Sequence, residues 1–446
     1  MSNNQGSINL SDSIKEKIAA IKTAENVYGM GRIARIRNYI IEVSGLEDVG
    51  FFERVVVGDK AEGYVSRIGR NQVTVELVRV LQPIFVGDEV TATKQPFGAW
   101  FSPSSLGHVV DMFGEDKIAG SVFKDREPIG AVVEPIPIMA RTTVNRPLYT
   151  GLAAIDLLYP IGRGQRQLIL GDKKTGKTQI GLDAIANQRG TNTVCIYVAL
   201  GKTKKSVKEI YSDLLQRGAM PYTLILAAFQ DDGAPALYRT PAVGLTIANR
   251  FMQEGKDVLV VIDDLTLHAN IYREISLLAN KVPGRDAYPP DIFFTHASLL
   301  EQGCQYYNGG SITILPIVET RGGDITDYIT TNIISITDGQ IVLSTKAFEQ
   351  GQKPAVSFGL SVSRLGSQVQ EELLRKLGSS VRRELLSFLE TREVFELANI
   401  DEMNEDMRNK IIRGRVLLEK MNQYKFSPLA PQQIKERFEE MMESQQ

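Results

Sequence analysis

The chain has 446 residues, of which 43% are apolar and 23% charged, with a formal net charge of −2. That length holds roughly two to four domains, each with its own core, and the near-neutral balance excludes a global pull toward nucleic acid or an anionic membrane surface. No stretch approaches the roughly eighteen uninterrupted apolar residues of a membrane span, and the polar start Met1-Ser2-Asn3-Asn4-Gln5 carries no signal-peptide core. The two cysteines, Cys195 and Cys304, lack metal-ligand spacing, so a reduced, cytosolic compartment is expected. Any place at the inner face of a membrane would be held through partner chains, and no nucleic-acid partner is expected.

Residues 8–22 carry a short helical pattern, with Ile8, Leu10, Ile14, Ile18 and Ile21 as its apolar positions. From about 29 to 95 short β-rich runs follow one another, at 31–36, 39–43, 54–57, 63–68 and 72–77. Many short strands with turns between them predict a small antiparallel barrel or sandwich. Residues 96–165 are punctuated by Pro and Gly and read as a link to the next domain. From 166 to 345 strand patterns, at 167–170, 193–199, 223–228, 257–262, 291–295 and 311–317, alternate with helical ones at 178–189, 206–216 and 241–254. That alternation predicts a mostly parallel α/β sheet covered by helices, with ligands at the carboxyl ends of its strands. Beyond about 368, Val381, Leu385, Leu386 and Leu389, then Ile411, Val416 and Leu417, recur at helical spacing.

Residues Gly171-Asp172-Lys173-Lys174-Thr175-Gly176-Lys177-Thr178 spell a complete phosphate-binding loop, G-x-x-x-x-G-K-[ST]. The loop follows the apolar run Leu168-Ile169-Leu170 and opens onto a helical pattern, the strand–loop–helix context that the motif needs. Its glycines let backbone N–H groups curl around phosphate oxygens, and the helix N-terminus adds the positive end of a dipole. Lys177 can reach the β- and γ-phosphates, and the Thr178 hydroxyl can ligate Mg²⁺. A Gly/Lys surface turn before a helix is the plainer alternative.

The apolar strand Val258 to Ile262 ends in two acids, Asp263 and Asp264. In a phosphate-loop core such an acid stands near the loop hydroxyl and holds Mg²⁺. Asp263 is expected on the magnesium side and Asp264 in a structural role. Hydrolysis also needs a group that orients the attacking water. The neighbouring strand from Val194 to Leu200 is followed by Gly201-Lys202-Thr203-Lys204-Lys205-Ser206, with no carboxylate before Glu209. A charged Lys202 cannot accept a proton. Either this chain does not cleave its nucleotide, or the base comes from elsewhere.

Four further segments resemble the α subunit of F-type rotary ATPases. They are Gly162-Arg163-Gly164-Gln165-Arg166, Pro283-Gly284-Arg285-Asp286-Ala287-Tyr288-Pro289, Thr331 to Gln340, and Gly359-Leu360-Ser361-Val362-Ser363-Arg364-Leu365-Gly366. The similarity runs from about residue 10 to 435. It implies an N-terminal helix and β-barrel domain over 1–95, a RecA-like nucleotide-binding domain over 96–367 and a C-terminal helical domain over 368–446. That last domain is expected to be shortened, since 22 residues follow Tyr424. The resemblance implies an alternating hexamer with β-type catalytic subunits around a central rotor stalk, with ATP or ADP and Mg²⁺ as ligands. Catalytic β chains are expected to carry glutamate at the place of Lys202, and α chains glutamine. The resemblance gives Arg364 the role of an arginine finger acting in trans, and places Phe348 and Gln423 beside the base. The sequence departs from the family at Lys173 and Lys174 (Arg and Gln expected), Lys353 (Arg expected) and Met421 (Gln expected).

The departures fit a diverged paralogue, coupled either to ATP synthesis and proton transport or to another motor task such as the gliding motility of mollicute bacteria. A self-sufficient homohexameric ATPase, as in a secretion motor or RNA translocase, is the alternative from another class. A structural ring component whose nucleotide never turns over is a third.

Overall fold

The computed structural model of the chain describes residues 29–394 and 405–443. The helical pattern at 8–22 lies outside the described residues. Two compact units divide the chain, the first ending at Phe97 and the second beginning at Gly98.

In the first unit six strands close into a barrel: Met30–Arg37, Ile40–Ser44, Glu53–Val57, Ala61–Ile68, Gln72–Val80 and Glu89–Pro96. Their spatial order is first, second, fifth, fourth, third, sixth, and every pairing is antiparallel. Closure leaves no edge strand to pair with another chain, and decides between the barrel and the sandwich. Inward positions alternate along the strands, as with Val55 and Val57 or Val73 and Val75. Phe52, Tyr64 and Phe97 cluster with ring centroids 4.9–5.9 Å apart. The sixth strand was not among the five predicted runs. Its buried face is only Val90 and Ala92, set among Glu, Thr, Lys and Gln.

The second unit is built on a ten-stranded sheet. Its order is Val362–Ser363, Gly339–Leu343, Leu168–Gly171, Ser311–Glu319, Asp257–Asp263, Thr193–Lys202, Thr223–Phe229 and Val109–Val110. Two short strands, Arg141–Thr142 and Cys304–Tyr306, lie off that path. The central pairings are parallel, and Val362–Ser363 adds an antiparallel edge. Parallel strands are covered on both faces, so their apolar runs are nearly continuous. Every residue of Cys195 to Ala199 and Val258 to Ile262 is essentially inaccessible.

Two expectations are corrected. Residues 291–295, read as a strand, begin the helix Ile292–Leu300. Burial falls at Ile292, His296, Leu299 and Leu300, the one-face spacing of a helix, while Phe294 is 73% exposed. The adjacent Ile-Phe-Phe suggested a strand through β-propensity alone, and tertiary burial overrode it. Residues 96–165 are more than a link. They supply Val109–Val110 to the sheet, and a two-stranded ribbon of Gly98–Phe101 with Glu127–Gly130.

The helices Glu372–Val394, Glu405–Met421 and Pro431–Glu443 belong to the same unit as the sheet. Leu377, Val381, Leu385, Phe388, Leu417, Met421 and Phe438 share one apolar core with Ile169, Ile180 and Tyr159. This packing brings the segment after Met421 to the loop at 171–178. No helix among the described residues is long and apolar enough to cross a membrane.

Candidate functional site: a phosphate loop and its strand ends

The strand Leu168–Gly171 runs into the loop, and the helix Lys177–Ala186 leaves it. Gly176 caps that helix at φ +99°, a left-handed conformation that glycine adopts without strain. Asp172 anchors the loop to two neighbouring strand ends. One carboxylate oxygen accepts from the Thr320 hydroxyl at 2.7 Å and Gly323 N–H at 2.9 Å, and the other from the Thr345 hydroxyl at 3.1 Å. Burial alone would raise the Asp172 pKa, but these donors hold it below the usual range. Thr175 closes the turn by donating to Asp172 O at 2.8 Å. Lys173 is exposed, with Nζ 3.5 Å from Glu319. Lys177 is buried and donates to Gly171 O and Asp172 O at 2.8 and 2.6 Å, spanning the mouth of its own loop. Burial holds its ammonium below the usual lysine range, against the pull of Glu319, Asp264, Asp263 and Asp172.

Three donors converge on Asp263 Oδ2: the Thr178 hydroxyl at 2.7 Å, the Tyr197 hydroxyl at 2.6 Å and Lys202 Nζ at 2.9 Å. Burial, then the adjacent Asp263 carboxylate, push the Tyr197 phenol far above its usual pKa, so it serves as a fixed donor. Tyr197 and Lys202 lie five residues apart on one strand, an odd spacing that ordinarily puts side chains on opposite faces. A bulge between Leu200 and Lys202 changes the parity. Its extra residue is Gly201, at φ +59°, where an added Cβ would stand 2.2 Å from Leu267 Cδ2. Asp264 caps the helix Leu265–Leu278 by accepting from Leu267 N–H at 2.7 Å, and its carboxyl is pushed up to about 6, chiefly by burial.

A cavity of about 410 Å³ adjoins the loop, lined among others by Lys174, Thr175, Gly176, Phe348, Lys353 and Gln423. That volume lies in the ordinary range for a small-molecule site. Phe348 is 37% exposed, and Lys353 Nζ stands 5.7 Å from its ring centroid. Gln423 lines the wall, but its amide is already engaged. It accepts from Ala153 N–H at 2.6 Å and donates to Gly151 O and Ser427 O at 2.9 and 3.0 Å. Met421 is buried in the core beneath.

Arg364 is placed apart from this assembly. Its N–H donates to Asp338 O at 2.9 Å, and the preceding Ser363 pairs with Gly339. Gly171, on the adjacent strand, pairs with Leu343. Four residues of strand, roughly 13 Å, separate the two rungs. The loop is at the carboxyl end of the sheet and Arg364 at the amino end. Its side chain is exposed, and no ion pair engages it among the described residues.

The residues that sequence reasoning missed are Tyr197 and Glu319. Tyr197 is a polar-tipped residue in an otherwise apolar strand, which was a usable signal. Glu319 is set beside Gly171 by strand pairing, which no local pattern announces.

The loop, its helix N-terminus, Lys177 and the cavity together fit a nucleoside polyphosphate. The Thr178 hydroxyl and Asp263 carboxylate are hard oxygen donors that fit Mg²⁺, though Lys202 shares the same carboxylate oxygen. Fold and site thus define a phosphate-loop nucleotide-binding α/β protein. The model of the ATP synthase alpha/beta family, nucleotide-binding domain, matches residues 151–363. ATP synthase subunit alpha 1 of Listeria monocytogenes is 38% identical over 408 residues, covering 90% of this chain and 80% of the relative. The corresponding figures are 38% over 420 residues, 93% and 83% for ATP synthase subunit alpha of Clostridium acetobutylicum, and 38% over 425 residues, 93% and 82% for that of Mycoplasma pneumoniae. The chain belongs to the ATP synthase alpha/beta family and is related along nearly its whole length to the alpha subunits.

Proposed function

We propose that this chain is a non-catalytic, nucleotide-binding α-type subunit of a rotary ATPase hexamer. It holds ATP or ADP in its own site and completes the catalytic site of an adjacent β-type subunit with Arg364. The observation that carries the reading is the ion pair of Lys202 with Asp263. The strand end beside the magnesium-side acid presents an ammonium, where hydrolysis calls for a group that accepts a hydrogen bond from water.

In the chain's own site, loop N–H groups and Lys177 bind the phosphates, Asp172 fixes the loop, and Phe348 offers an apolar face to the base. Mg²⁺ held by Thr178 and Asp263 would neutralise phosphate charge. Gln423 holds the cavity wall through backbone bonds, so base selectivity rests on shape more than on its amide.

Arg364 supports the second half of the reading. Its backbone is fixed at the sheet edge, its guanidinium is exposed, and it stands at the opposite end of the sheet from the chain's own loop. Leu360 and Val362, 49% and 41% exposed, precede it in the same segment as apolar surface suited to a subunit contact. A guanidinium entering across such a contact neutralises charge on a transferring phosphoryl group. The same chemistry serves ATP synthesis with proton transport, or a motor task such as gliding. Attachment at the inner face of a membrane would run through the rotor and other partners.

The purified chain, incubated with Mg²⁺ and ATP, should retain nucleotide and release no phosphate above background. Steady phosphate release that disappears in Lys177→Ala would overturn the non-catalytic reading and favour a self-sufficient ATPase.

A further inference from the structure

The strand Thr193–Lys202 ends by placing an ammonium on the carboxylate of the metal-side acid, Asp263. Lys202 Nζ is 2.9 Å from Asp263 Oδ2, and the Thr178 hydroxyl is 2.7 Å from the same atom. In phosphate-loop proteins a hydroxyl and a carboxylate at these places hold the Mg²⁺ that bridges β- and γ-phosphate oxygens. Here a cation belonging to the chain itself already contacts the carboxylate of that pair. It is not a loose surface lysine, since the Lys202 side chain is 19% exposed and that of Asp263 3%. The bulge at Gly201 turns it toward the site and fixes its direction.

We propose that Lys202 is a built-in counter-cation for the polyphosphate in this chain's own site, so that nucleotide binds there without requiring Mg²⁺. The proposal rests on the reading of 171–178 as a nucleotide site. An ammonium carries three donors, and one on Asp263 leaves two for phosphate oxygens. Lys177 supplies a second positive charge from the loop, and Lys174 lines the adjoining cavity, while Lys173 is exposed and paired with Glu319. A metal ion sharing Asp263 with Lys202 also meets a like charge at close range, which lowers its affinity. The site is therefore biased toward holding nucleotide through its own lysines.

The test is calorimetric titration of ATP into the purified full chain, in magnesium and in EDTA, for wild type, Lys202→Gln and Lys202→Arg. Wild-type dissociation constants in the two buffers should agree within about threefold. Lys202→Gln should lose about tenfold or more in EDTA and recover it in magnesium, the scale of one charge-assisted hydrogen bond. Lys202→Arg keeps the charge and should follow the wild type. A wild type that weakens about tenfold on chelation overturns the proposal. So does a glutamine variant as insensitive as the wild type, or an arginine variant that behaves like the glutamine one. In each of those cases ATP still binds and the reading of the site stands. A chain that takes up no ATP in either buffer overturns that reading and this proposal with it.

Discussion

At the residue scale the site turns on one atom, Asp263 Oδ2, which accepts from two hydroxyls and an ammonium. The three donors are unequal. Removing the Tyr197 hydroxyl leaves Asp263 with Thr178 and Lys202, so Tyr197→Phe should cost about 1 kcal/mol, the net worth of an ordinary hydrogen bond. Asp263→Ala removes the acceptor from all three at once and strands Lys202 and the buried Tyr197 hydroxyl. It should cost about 3 kcal/mol or more, as breaking a buried ion pair does. Urea denaturation of the two variants checks the ordering, and equal losses would mean that the convergence on Asp263 has little structural weight. The identity of Lys202, and its inability to act as a base, were legible from the sequence. Its partner was not, because an odd spacing from Tyr197 puts Lys202 on the wrong face unless a bulge intervenes. Only the register with the strand Thr223–Phe229 reveals that bulge.

At the element scale, the phosphate loop, the Asp263 strand and the strand–helix alternation were readable because each has its own periodicity and punctuation. The helix at 292–300 was misread because its first residues, Ile-Phe-Phe, favour strand, while the His296 and Leu299 that complete its buried face come a turn later. The link between the loop's helix and the C-terminal segment was invisible for a different reason. Asp183, on the helix Lys177–Ala186, accepts from Phe426 N–H at 2.7 Å, a contact across 243 residues. Burial outweighs that bond and pushes the Asp183 carboxyl up to about 6. An unfolded aspartate titrates near 3.9, so the folded chain binds more protons in between. The contribution of Asp183 to stability is therefore fully present below about pH 4 and is lost as pH rises toward and through 6. The change amounts to roughly 2–3 kcal/mol. Asp183→Asn keeps the acceptor and removes the titration, so its urea midpoint should vary less between pH 4 and pH 7 than that of the wild type. An unchanged slope would show that Asp183 titrates in the folded chain as it does in the unfolded one.

At the scale of the whole molecule, the phosphate loop and Arg364 stand at opposite ends of the sheet. The carboxyl end of the strands carries the phosphate loop and its cavity, with Lys202 paired to Asp263 there. The amino end carries Arg364, exposed and preceded by the exposed apolar Leu360 and Val362. The proposed subunit role gives that separation a meaning, with nucleotide held on one side and chemistry supplied to a neighbour on the other. The motif around Arg364 was legible as sequence, but its remoteness from the chain's own loop required the pairing of Ser363 with Gly339 and of Gly171 with Leu343. The most direct measurement is ATP turnover by the proposed ring, assembled from this chain and a β-type subunit, with Arg364 intact and as Arg364→Ala. Turnover should fall by about a thousandfold or more in the variant ring, the usual contribution of an arginine finger, while the variant chain binds ATP as before. Turnover that survives within about tenfold would contradict the account, because Arg364 would then face no active site.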